Sequence, residues 1–201
     1  MTRSVRTVLG TLVVLMSLAP ASVDAQRIVA FDRATNVAVG YVANMPDQLL
    51  GFSAMTVGER WGGWGLYLDY KQSLDSPGDD PTFRPGVTPQ EALNTGNDEF
   101  GQESQWTGFN VAVVRTISDE LAVYAGAGWA DQTVYREFLD PDGDPLTPFF
   151  WVEDEAVSGT EVNVLGGFYF RLMQNVLFQF GSQTAPGGVT AGISLGVPLG
   201  G

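Results

Sequence analysis

Carboxylates at alternating positions are the residues here best suited to hold a hard cation. Asp140-Pro141-Asp142-Gly143-Asp144 sets three acids at i, i+2 and i+4, and clustered oxygen ligands are what Ca²⁺ takes. The pattern departs from an EF-hand loop, because its glycine falls two positions early and the twelfth position is Trp151. The expectation is weak Ca²⁺ binding at Asp140, Asp142 and Asp144. No other cofactor is expected. A second constellation is Asp69, Lys71, Glu161 and Arg171, four ionisable groups of mixed sign inside otherwise apolar segments. Charges taken from water must pair or neutralise, so these four are expected to form one polar network. Nucleophilic catalysis meets an obstacle at once. The chain has no histidine, which removes the usual general base and every Ser–His or Asp–His arrangement. No acid pair stands out for carboxylate-only chemistry, and the reading is that this is not an enzyme.

The charge balance narrows the partners. Ten Lys and Arg against 23 Asp and Glu leave a formal net charge of −13, the wrong sign for phosphate backbones. Lys71 is the single lysine. A water-facing surface normally carries interspersed charge of both signs, so much of this surface is expected not to face water. With no cysteine, there is no disulfide framework and no thiolate metal site.

The N-terminus reads as an export signal. Arg3 and Arg6 precede the apolar run Val8 to Leu18, and Val23 and Ala25 supply small residues ahead of a cleavage point. About 11 apolar residues are too few to cross a ~30 Å hydrocarbon core as a helix. Residues 1–25 are therefore expected to be a cleaved signal peptide and residues 26–201 the mature domain.

The elements that must position these groups are strands. Beyond the signal the apolar residues alternate, with no helical period of useful length. In Val189 to Val197, Val189, Ala191, Ile193, Leu195 and Val197 alternate with Thr190, Gly192, Ser194 and Gly196. The same period of two runs through Asn36 to Asn44, Leu49 to Val57, Gly63 to Lys71, Gly108 to Ile117, Leu121 to Gln132, Glu161 to Leu172 and Val176 to Gln183. Eight segments near the 9–11 residues of a tilted membrane strand predict a transmembrane barrel. Gly, Ala, Ser, Asn and Gln occupy the second face, where a soluble barrel would carry Lys, Glu and Thr. Strand glycines need a reason, and a narrow lumen supplies one, since small residues make room for large ones. The apolar face is thus expected to point outward. Short links at Gly58 to Gly62, Ser118 to Glu120 and Met173 to Asn175 alternate with long acidic loops around Gln72 to Glu103 and Phe138 to Ala156. Short periplasmic turns and long external loops have this pattern.

In signal, strand count and turn–loop alternation the chain resembles the small outer-membrane barrels typified by OmpX and the membrane domain of OmpA. The resemblance implies an all-β, eight-stranded antiparallel up-and-down transmembrane β-barrel in the bacterial outer membrane. It implies a monomer in contact with outer-membrane lipid and lipopolysaccharide, placed there by the barrel-insertion machinery. The chain departs from those barrels at its end, Val197-Pro198-Leu199-Gly200-Gly201, which lacks their terminal aromatic residue.

Further expectations complete the reading. Trp61, Trp64, Tyr70, Trp106, Trp129 and Tyr135 are expected as interfacial girdles. Arg115 has lipid-face parity near the periplasmic end, where it would snorkel to head groups. Phe149-Phe150-Trp151 is expected to pack an acidic loop onto the rim. The functional expectation is a structural or surface-interaction role through acidic external loops. The alternatives are a soluble, lipocalin-like carrier with its apolar face inside, and a small ion pore.

Overall fold

In the computed structural model, residues 35–141, 146–173 and 175–199 are described; the expected signal peptide, Asp142 and Asp144 lie outside them. The described residues form nine strands in order: β1 (Thr35–Met45), β2 (Leu49–Gly58), β3 (Trp64–Ser73), β4 (Asp98–Thr116), β5 (Leu121–Leu139), β6 (Phe149–Glu153), β7 (Gly159–Met173), β8 (Val176–Thr184) and β9 (Gly187–Leu199). Eight of them close a barrel. Each pairs antiparallel with its neighbour from β1 to β5, β5 pairs with β7, and β7, β8 and β9 follow. Closure is made by β9 on β1, in register from Thr35↔Leu199 to Met45↔Val189. A closed ring leaves no edge whose backbone groups would lie unpaired in lipid.

The faces are set by the alternation. Val39, Phe52, Leu66, Val113, Phe168 and Leu195 point out and are exposed, while Ala38, Met55, Tyr67, Val114 and Tyr169 are buried inside. So wide an exposed apolar belt does not suit a protein surrounded by water, and the barrel is of the membrane-spanning kind. The lipocalin-like alternative needed these same residues inside, and their outward orientation overturns it.

The outer end differs most from expectation. β4 and β5 are 19 residues each, about twice a membrane strand, and continue past the rim as a hairpin. From Gln132, where β7 begins its pairing, to Leu139 the hairpin rises about 23 Å at ~3.3 Å per residue. β6 pairs along this extension from Tyr135↔Glu153 to Leu139↔Phe149, making a three-stranded wing. Residues placed in long loops by their acidity, Asp98, Glu99, Glu103 and Glu153, are therefore in strand. Charge density disguises a strand whose faces both see water. The other two outer connections, Pro46 to Gln48 and Ala185–Pro186, are tight, so the rim is high on one side and low on the other.

One helix, α1 (Pro89–Asn94), interrupts the β3–β4 connection. It is six residues long, and a capping box nucleates it. Thr88 Oγ1 accepts from the Glu91 amide, and the Glu91 carboxylate accepts from the Thr88 amide at 2.8 Å. The sequence reading had no need of a helix, because one and a half turns are too short to show a period.

Candidate functional site

Two regions concentrate polar chemistry: the lumen and the wing. In the lumen, β3 contributes Tyr67, Asp69 and Lys71, alternate residues on the inward face. Asp69 is the hub. Its Oδ2 accepts from the Tyr67 hydroxyl at 2.5 Å and from Lys71 Nζ at 2.9 Å, and its Oδ1 accepts from Asn110 Nδ2 at 2.6 Å. Lys71 is 1% exposed and Asp69 2%. A carboxylate with three donors is how a buried charge becomes tolerable. The chain of bonds continues across the barrel. Asn163 Nδ2 donates to Asn110 Oδ1 at 2.8 Å, and Asn163 Oδ1 accepts the Ala185 amide at 3.0 Å, tying the tight β8–β9 link to β7.

Below this, three tyrosines meet from β3, β5 and β7. Tyr67 stacks on Tyr124 with ring centroids 4.8 Å apart, and Tyr169 leans on both. Gln179 from β8 joins them. Its Nε2 donates to the Tyr67 and Tyr124 hydroxyls at 2.7 and 3.1 Å, and its Oε1 accepts from Tyr169 at 3.0 Å. Glycine makes this cluster possible. A Cβ on Gly167 or Gly181 would lie 2.6 or 2.4 Å from the Tyr124 hydroxyl. Trp106, Leu49, Ala130 and Ala185 form a further cluster toward the outer mouth.

The four predicted lumen charges are not brought together. Asp69 and Lys71 pair. Arg171 is buried but sits near the end of β7, at the end of the barrel that carries Thr35 and Leu199, beside the register partner Leu177. Glu161 is exposed and is a correction: it keeps inward parity but lies at the start of β7, where the rim gives way to water. Parity fixes a face and says nothing of depth. Sequence reasoning missed Asn110, Asn163, Gln179 and the three tyrosines as partners, although each sits at an inward position of its alternating segment.

The wing has its own small core of Ala92, Phe138, Phe150 and Val152. The β3–β4 connection wraps it. Phe83 bridges Trp151 beyond the free edge of β6, and the Arg84 amide donates to the Trp151 carbonyl at 2.9 Å. Covering an edge in this way keeps other strands from adding to it. Phe149-Phe150-Trp151 thus packs the wing rather than the barrel rim: Phe150 stacks on Phe138 and Phe149 meets Phe100. The Arg84 guanidinium lies 3.6 Å from the Phe150 ring centroid and pairs with Asp140 at 3.0 Å. Arg136 binds Asp154 at 2.6 Å and Glu99 at 2.8 Å, and these acids hold its guanidinium above its usual range. Thr82 donors hold the Asp80 carboxyl below its usual range, while burial, with Glu103 and Asp80 nearby, pushes Glu137 up.

Asp140 is committed to Arg84, and no group of three or more His, Cys, Asp or Glu suited to a metal occurs among the described residues. Of the expected girdle, Trp61, Trp64, Tyr70 and Trp129 are exposed as predicted. Trp106 and Tyr135 are buried instead, a correction. Trp106 has inward parity at the mouth, and Tyr135 is covered by Phe83 in an edge-on contact. Arg115 sits at the end of the barrel that carries Thr35 and Leu199, its guanidinium 4.8 Å from the Trp64 ring centroid and bonded to the Gly62 carbonyl.

Among solved structures, the chain is similar to Ail, the attachment invasion locus protein of Yersinia pestis, in complex with the heparin analogue sucrose octasulfate. That match has 12% identity and a TM-score of 0.42, covering 82% of this chain and 96% of Ail. It is also similar to the N-terminal β-barrel domain of Pseudomonas aeruginosa OprF, at 13% identity and a TM-score of 0.40, with coverage of 82% and 96%. Neisserial surface protein A matches at 14% identity and a TM-score of 0.28, with coverage of 81% and 92%. No family model matches the chain, and no curated protein matches its sequence. The fold assignment rests on the strand pairing above.

Proposed function

We propose that this protein is a non-enzymatic barrel of the bacterial outer membrane, a monomer whose filled lumen is a rigid plug and whose wing presents an acidic surface outside the cell. The wing's charge is the observation that carries the reading. Seven acids lie between Asp75 and Glu103 against Arg84, and nine between Asp131 and Glu161 against Arg136. Both arginines are held in ion pairs, so the excess stays negative toward solvent. Such a surface attracts cationic groups over a Debye length of ~8–10 Å and repels polyanions. A sulfated sugar like that in the Ail complex would meet charge of its own sign here. Contact with lipopolysaccharide phosphates would instead run through divalent cations, and any Ca²⁺ at Asp140, Asp142 and Asp144 would first have to displace Arg84. The packed tyrosines and the Asp69–Lys71 pair favour a plug over an ion path.

The test begins with cell fractionation and with gel mobility in SDS before and after boiling. A membrane fraction whose mobility changes on boiling supports the barrel, whereas recovery from the soluble periplasm would sink it. Cells displaying wild type should then retain a fluorescent polylysine in a salt-sensitive way. A variant with Asp79, Asp80, Glu103 and Glu137 changed to their amides should retain less. Equal retention would leave the barrel standing and remove the acidic wing as its working surface.

A further inference from the structure

The cations among the described residues divide sharply by place. Lys71 and Arg171 are buried in the lumen, and Arg84 and Arg136 are spent in the wing. That leaves Arg60 and Arg115, both beside the periplasmic β2–β3 turn. Arg115 is the better placed, because it lines a cleft of about 510 Å³ between Gly62–Gly63 and the end of β4 with the turn that follows it, Arg115 to Asp119. Its Nη1 donates to the Gly62 carbonyl, and Trp64 lies against the guanidinium. One bond and one ring fix the group in place without occupying its remaining N–H donors.

Asp119 lines the same cleft, yet Arg115 forms no ion pair with it or with any other described acid. A cation and an anion held apart in one cleft suit a ligand that carries both signs. The apolar surroundings say where such a ligand comes from. Trp61, Trp64 and Ile117 are all more than half exposed, at the end of strands whose outer face is apolar. A group bound here would have its charged part at the turns and its apolar part along the barrel wall. Indole rings and a guanidinium together are the usual furniture of a membrane–water interface.

We propose that this cleft is a binding site for the headgroup of a zwitterionic phospholipid of the periplasmic leaflet, one carrying a phosphodiester and a primary ammonium. Arg115 takes the phosphodiester through its free N–H donors, Asp119 takes the ammonium, and the acyl chains run along Trp64 and Ile117. A quaternary ammonium has no N–H to give Asp119, and a glycerol headgroup has no cation, so both bind less well. The proposal rests on the membrane-spanning reading, which the gel-mobility test addresses separately.

The experiment is native mass spectrometry of the full-length mature barrel. It is released from bilayers of equal parts phosphoethanolamine, phosphocholine and phosphoglycerol lipid of one acyl composition. Wild type should retain the phosphoethanolamine lipid about tenfold over the others, the worth of one charge-assisted contact. Arg115→Gln should lower retention of all three. Asp119→Asn should keep phospholipid but lose the headgroup preference. Each variant is checked first for the boiling-dependent mobility shift, and Asp119→Asn, in an exposed turn, carries the test if Arg115→Gln does not insert; an unchanged headgroup preference in it would overturn the site. Equal retention of the three lipids by an inserted wild-type barrel would overturn the site and leave the barrel intact. Displacement of lipid by millimolar inorganic phosphate would also overturn it, by making a free anion the ligand.

Discussion

Changing Asp69 to Asn should be among the most damaging single substitutions in the lumen. Asp69 receives three donors, from Tyr67, Lys71 and Asn110, at 2.5, 2.9 and 2.6 Å. The amide removes the charge opposite Lys71 and offers one acceptor where two were used, so an NH₂ faces a donor. Lys71 is 1% exposed and loses its ion-pair partner. Breaking a buried pair from one side costs about 3–5 kcal/mol. Lys71→Met is the milder change, because Asp69 keeps the Tyr67 and Asn110 bonds; one hydrogen bond to a charged group is worth about 1.5–3 kcal/mol. The double variant Asp69→Asn/Lys71→Met should be more stable than Asp69→Asn alone, since no uncompensated charge remains. Urea titration in phospholipid vesicles, followed by tryptophan fluorescence and by the gel-mobility shift, gives the three free energies. If the double variant loses the sum of the two single losses, the pair is uncoupled and the account of the plug is wrong.

Two further substitutions test the packing and the wing. Gly51→Ala would place a Cβ 1.7 Å from the Tyr70 carbonyl oxygen on the neighbouring strand, so strand β2 must shift. The expected cost is about 1–3 kcal/mol or more, read as a lower urea midpoint, and an unchanged midpoint would contradict the close approach. Glu137→Gln tests the electrostatics. Burial and the nearby Glu103 and Asp80 push the Glu137 carboxyl up, so the folded wing binds this proton more tightly than an unfolded chain does. Its contribution is fully present below the ordinary carboxyl range and is lost as pH rises through the folded value. The amide should therefore slow hydrogen exchange in β5 and β6 at neutral pH relative to wild type, and the advantage should fade in acid. An advantage that persists unchanged in acid would show that charge is not the cause.

Sequence alone determined the barrel. Alternation reports which face a residue takes, and glycine on one face reports a crowded interior, so the eight spanning segments and their outward apolar side could be read directly. The tight turns after β2, β4 and β7 followed from their length. Tertiary structure decided everything that depends on depth and on neighbours far along the chain. Glu161 and Asn163 share a parity, yet one reaches water and the other crosses the lumen to Asn110, because strand tilt and register set height. The wing stayed hidden because the extension of β4, wet on both faces, has no apolar period, and β6 looked like part of a loop. Trp106 and Tyr135 have the composition of an interfacial belt, but what covers them comes from elsewhere in the fold. The Asp69 hub gathers β3 and β4 across 41 residues and, through Asn110, β7 across another 53. Separations of that length are set by strand register around a closed ring, which no local pattern encodes.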